Sequence, residues 1–258
     1  MSSWSVSDWV WRIALLGLYL GKAWQYFFYS MPLEIGLPGI DAFAALFLVG
    51  CGISLCRPSP PNWMLIGSSV LFFVNTLAAW QAHSWEWPYL IEQTLAWSSP
   101  LLFFYWQKQL PRHQTLIKVG VALTFAGHGL YALGWPYPTP PHFYYMVQEI
   151  LGLTSSQSIL FLQVAGILDL ILMIGIFAPQ SAAILLVYGS FWGFATALAR
   201  PIAYVHLAQL GEGLHRWLME FLFRLPHSLL PWLLWWQVFQ KQRHAASPSK
   251  KSPLKSHK

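Results

Sequence analysis

The chain has 258 residues, of which 56% are hydrophobic and 9% charged, with 16 Trp. Soluble domains carry about a quarter charged residues, so this chain lacks the polar surface to cover a water-soluble globule of its length. Intrinsic disorder, a soluble DNA-binding domain and a disulfide scaffold are excluded together, and the class left is an all-α, polytopic membrane helix bundle.

A helix crossing a bilayer needs roughly 20 mostly apolar residues. Eight apolar runs meet that need in chain order, at 10–31, 40–56, 62–82, 89–107, 115–135, 159–178, 181–205 and 214–239. Arg12 precedes a first run too long for a signal-peptide core, so that run is expected to be a retained helix. Cys51 and Cys56, the only cysteines, end the second run. Their spacing is not that of a redox or zinc motif, and they read as packing residues. Prolines punctuate the joints at 58–61 and at 136–141, because a proline ring cannot continue a helix. The segment 136–158 is the longest connection. Phe143, Tyr144, Met146, Val147 and Ile150 recur there at helix-like spacing, which predicts a short interfacial helix.

The net charge is +6, and six of the 15 basic residues follow Phe239. This tail, 241–258, reads as a disordered cytoplasmic end beside anionic lipid. Nucleic acid is not expected as a partner, because no basic patch accompanies a recognition element. With the N-terminus cytoplasmic, the inner loops hold Arg57, Lys108, Arg112 and the tail. The outer loops then hold Glu34, Asp41, Glu86, Glu149 and Glu212 without Lys or Arg. This positive-inside pattern places both termini in the cytoplasm.

The chain also looks like itself. Residues 12–24 lay over 118–130 without a gap, so that Arg12 meets Lys118, Tyr19 meets Phe125, Gly21 meets Gly127 and Lys22 meets His128. Residues 100–107 resemble 231–237, both opening on Pro and closing on Gln. Two similar four-helix halves follow, 1–110 and 111–240. With an even number of spans in each, they share one orientation.

Intramembrane charges cost several kcal/mol unless paired or hydrated. The eighth run carries Glu212, Arg216, Glu220, Arg224 and His227 at spacings of four, four, four and three, along one helix face. Lys22, Glu92, His128 and Arg200 fall in the outer halves of other runs, with Asp169 nearer the midplane. Charges from several helices at one depth predict a polar pocket in the outer half of the bilayer. Lys22, Arg200, Arg216, Glu220 and Arg224 are its substrate-binding candidates, and His128 and Glu92 its catalytic candidates. A self-neutralising ladder that orients the eighth helix is the alternative. His128 lies between Gly127 and Gly129, which let helices approach closely. A neutral imidazole there could relay a proton or ligate haem. A second haem ligand would have to be His227, which residue counting places deeper. No metal-ligand spacing, nucleophile elbow or phosphate-binding loop is present.

The segment 123–133, LTFAGHGLYAL, and Gly166-Ile-Leu-Asp169 in a later apolar run resemble DoxX-like membrane proteins. The resemblance covers 115–178 best and the N-terminal half more weakly. It implies a four-helix module in a bacterial plasma membrane, and for some members quinone-linked oxidoreduction. In that reading His128 and Glu92 exchange protons with a quinone, and a partner membrane subunit supplies the electrons. A lipid or small anionic ligand held without chemistry, and a structural role in a membrane complex, are the alternatives.

Overall fold

The computed structural model describes residues 4–28, 39–204 and 210–246, except for the side chains at 210, 212–214, 241–242 and 244–246. The described residues form eleven α-helices. They are α1 (Val6–Phe28), α2 (Ile40–Ser54), α3 (Asn62–Ala82), α4 (Trp87–Glu92), α5 (Thr94–Gln107), α6 (His113–Leu133), α7 (Pro141–Leu151), α8 (Ser155–Gly175), α9 (Ala182–Tyr204), α10 (Leu210–Phe223) and α11 (Leu225–Ala246). Each of the eight apolar runs lies on these helices, and α7 occupies the long connection. Proline opens α7 and Gly152 ends it at φ +62°, an asymmetry that suits both ends. A capping box of Thr154 and Gln157 starts α8. The basic tail expected from residue 241 is helical as far as Ala246, and 247–258 lie outside the described residues.

Two runs expected as single helices are each interrupted by one residue. Arg224 separates α10 from α11, and Pro226 gives the reason. Its ring opposes the carbonyl four residues back and disfavours helical geometry at Leu225. Gln93 separates α4 from α5 with no proline nearby. Here the Leu95 N–H donates to Thr124 Oγ1 of α6 at 3.0 Å. A hydrogen bond from another helix therefore satisfies a group near the break. The single ladder expected along the eighth run is correspondingly split, with Arg216 and Glu220 on α10, Arg224 at the break and His227 on α11. The Glu212 side chain lies outside the described residues.

The packing scheme runs twice along the chain. Helix α1 packs on α2, α10 and α11, and α6 packs on α8, α4 and α5. Helix α3 packs on α5 as α9 packs on α11, and α2 meets α3 as α8 meets α9. Helix α1 thus packs on the interrupted pair α10–α11, and α6 on the interrupted pair α4–α5. Two glycines permit that approach. A Cβ on Gly21 would lie 2.6 Å from the Met219 carbonyl oxygen, and one on Gly127 would lie 2.5 Å from that of Pro88. The same register holds at the opposite ends. Arg12 of α1 donates to the carbonyls of Leu55, Arg57 and Pro58, the last two at 2.8 and 2.9 Å. Lys118 of α6 donates to Ile176 O at 2.9 Å. Leu55 and Ile176 are the C-cap residues of α2 and α8. A cation there satisfies carbonyls that the ended helix leaves open, and it suits the negative end of the helix dipole. Arg12→Met is expected to lower stability by about 2 kcal/mol and Lys118→Met by about 1 kcal/mol, read as melting temperatures in detergent.

A broad apolar surface surrounds the bundle. Leu160, Val164 and Ile174 of α8, Ile184 and Phe191 of α9, and Phe43 and Ile53 of α2 each expose half or more of their area. Soluble monomers rarely carry contiguous apolar patches beyond a few hundred Å². Helices α3, α6, α8 and α9 are long and apolar enough to cross a membrane. Lipid is the solvent that this surface fits, and the helices fit an integral membrane protein.

Candidate functional site

A cleft of about 760 Å³ opens at one end of the bundle. Its position follows from chain direction. The closing turns of α1, α3, α6 and α9 meet there with α4, α10, the start of α7 and the proline-rich segment before it. Lys22, Glu92, Arg200, Arg216, Glu220 and Arg224 all line it. His128 stands behind the wall. It lines a small cavity of about 10 Å³ together with Glu92, Arg224 and His227, space for roughly one water. His227 of α11 lines this cavity beside His128. His227 Nδ1 donates to Arg224 O at 3.1 Å, and its Nε2 is buried without a hydrogen-bond partner.

The cleft's side chains form a network that links α1 and α4 to α10. Lys22 Nζ donates to Gln25 Oε1 at 3.1 Å, and Gln25 Nε2 donates to Glu220 Oε1 at 2.6 Å. Arg224 lies 3.4 Å from Glu92 Oε1 and 4.0 Å from Glu220 Oε2. In the other direction, Tyr131 OH donates to Glu86 Oε2 at 2.8 Å. Gln25, Tyr131 and Glu86 were not among the sequence candidates. Neutral polar residues and a loop carboxylate carry no sign of burial in the sequence alone.

Glu86, Glu92 and Glu220, the cleft carboxylates whose side chains are described, are each engaged. Arg200 is 8% exposed, and it forms no hydrogen bond or ion pair among the described residues. Lys22 is 6% exposed and has no carboxylate within ion-pair distance among the described residues. Its ammonium lies over the rings of Tyr26 and Phe223, at 5.2 and 5.6 Å from their centroids. Such contacts ease the burial of a cation but do not neutralise it. Glu92 and Glu220 act on Arg200, and Glu220 on Lys22, only from beyond ion-pair distance. A buried cation without a direct partner is costly, and a bound anion lowers that cost.

His128 has a different environment. Its Nδ1 lies 2.8 Å from Asp169 Oδ2, and Asp169 Oδ1 accepts Tyr188 OH at 2.9 Å. Asp169 is fully buried. The pair exists because α6 and α8 nearly touch at Gly129 and Gly166. A Cβ on Gly166 would lie 2.7 Å from Gly129 O, and one on Gly129 would lie 2.9 Å from the Asp169 Cβ. The two glycine motifs read separately in the sequence are thus the two sides of one helix crossing. A carboxylate on Nδ1 fixes the imidazole's orientation and leaves Nε2 for other partners.

These features define a helical membrane protein with a charged, cation-rich cleft between two similarly packed groups of helices. Comparison of the chain with family models, with curated proteins and with solved structures finds no match.

Proposed function

We propose that this is an eight-span membrane protein, built as two similar four-helix halves with cytoplasmic termini, that binds a small anionic ligand in the cleft on the outer side. The repeated packing scheme, the paired glycines Gly21 and Gly127 and the paired cations Arg12 and Lys118 support the two halves. The distribution of loop charges supports the orientation. Arg200 carries the ligand reading, as a buried guanidinium on the cleft wall with no carboxylate within ion-pair distance among the described residues. The cleft volume falls in the range of about 300–1,000 Å³ common to small-molecule sites. Calorimetric titration of detergent-purified protein with orthophosphate, sulfate and acetate tests this. Saturable binding that weakens with added salt is expected for at least one of them, and no binding of any would overturn the reading.

A quinone-linked oxidoreductase subunit is the second reading, favoured by the bonded series Tyr188–Asp169–His128 beside Glu92. Reducing a quinone to its quinol takes two electrons and two protons. His128 and Glu92 would supply the protons, and a partner membrane subunit the electrons. The resemblance of 115–178 to DoxX-like proteins points the same way. Quinone in an organic extract of the purified protein, and its absence from a His128→Ala variant, would favour this reading over the first.

A further inference from the structure

We infer that the anion taken by the cleft is the phosphate headgroup of a lipid, with the lipid's hydrocarbon chain lying in an apolar groove between α7, α8 and α9. The inference rests on the anion-binding reading above and names its ligand class. The groove has a volume of about 270 Å³ and is lined by Met146 and Val147 of α7, Phe161 and Leu162 of α8, and Ala195 and Ala199 of α9, among others. Its lining is apolar apart from His128, Thr196 and Arg200. Arg200 and Phe143 line both spaces, and His128 lines the groove and the small cavity behind the cleft. One guanidinium with no carboxylate within ion-pair distance among the described residues thus stands at the junction of a polar chamber and an apolar trough. That is the charge pattern of an amphiphile with an anionic head.

The surroundings agree with this occupant. Leu160 and Val164 of α8 and Phe191 and Ile202 of α9 are exposed apolar residues on the two helices that flank the groove. The groove is therefore bordered by surface suited to the bilayer, and a lipid chain can enter it sideways from the membrane. Its volume lies just below the usual range of about 300–1,000 Å³ for small-molecule pockets, so it holds one chain and not several. Arginine suits a phosphate because its planar fork can offer two parallel N–H donors. Helix α7 closes the groove over Phe143, Met146 and Val147, which are buried against Leu162 and Ala203.

Three probes separate the head from the chain. Decyl phosphate carries both, orthophosphate only the anion, and decanol only the chain. Calorimetry in a non-ionic detergent is expected to show decyl phosphate binding at least tenfold more tightly than either of the others. Ala195→Phe and Ala199→Phe fill the groove, and each is expected to weaken decyl phosphate at least tenfold while changing orthophosphate less than twofold. Melting temperatures show which variants remain folded, and if neither does, the three probes on the unaltered protein decide. Equal affinity for decyl phosphate and orthophosphate, or folded groove variants that bind decyl phosphate as before, would overturn the lipid inference and leave the anion cleft standing. Decanol binding as tightly as decyl phosphate would remove the role of the headgroup. No binding of either phosphate probe would overturn the lipid inference and count against the cleft reading as well.

Discussion

Replacing Arg200 by glutamine is expected to lower anion affinity about thirtyfold while leaving the melting temperature within a few degrees of the unaltered protein. The two effects separate because Arg200 has no direct ion pair or hydrogen bond among the described residues to lose, and Glu92 and Glu220 act on it only at longer range. Hydrogen bonds to a charged group contribute about 1.5–3 kcal/mol, and 2 kcal/mol at the middle of that range is about thirtyfold. Truncating one member of a buried ion pair destabilises strongly because it strands the other. Here Glu92 and Glu220 keep Arg224 as their ion-pair partner, and the glutamine removes a desolvated charge. Arg216 is the contrast, because it is exposed at the rim of the cleft. Screened charges contribute little, so Arg216→Gln is expected to change affinity by about threefold or less. Titrations and melting curves on the same preparations check both. A large fall in stability with unchanged affinity would mark Arg200 as a structural residue.

Gly127→Leu is expected to be the most damaging single change to the fold. The first atom of the new side chain would already lie 2.5 Å from Pro88 O and from Glu92 N, and 2.8 Å from the Glu92 Cα. These are backbone atoms of α4, which cannot swing aside as a side-chain tip can. Overpacking of this kind costs about 3 kcal/mol or more, and the gain in helix propensity over glycine, about 0.8 kcal/mol, does not offset it. Moving α4 also carries Glu92 away from Arg224 across the interface between the halves. Loss of stability and loss of anion binding are therefore expected together. Gly50→Ala in α2 is the control, since a Cβ there meets nothing within 4 Å. It is expected to be neutral or slightly stabilising. A Gly127→Leu variant with unaltered melting temperature and binding would contradict the close packing of α4 on α6.

The sequence carried the helices well because lipid-facing segments must be long and apolar whatever their neighbours are. The interruptions show the limit of that reading. The break at Arg224 had a local signal in Pro226. The break at Gln93 had none, because Leu95 N–H bonds Thr124, a residue 29 positions away on another helix. The charged side chains of the cleft stood out because burying them demands a reason. The groups that connect them did not, since Gln25 and Tyr131 are unremarkable at helix ends. His128 and Asp169 were each noticed, but their bond depends on α6 and α8 crossing at Gly129 and Gly166. A crossing of that kind is a tertiary fact.

Native mass spectrometry of the protein, extracted from its own membranes in a mild detergent, tests the central claim most directly. The spectrum is expected to show an adduct of constant mass on the unaltered protein, with a phosphate fragment released on activation. The adduct should be lost from Arg200→Gln and retained on Arg216→Gln. Bare protein throughout, or one adduct equally abundant on all three forms, would contradict a cleft that selects an anion through Arg200.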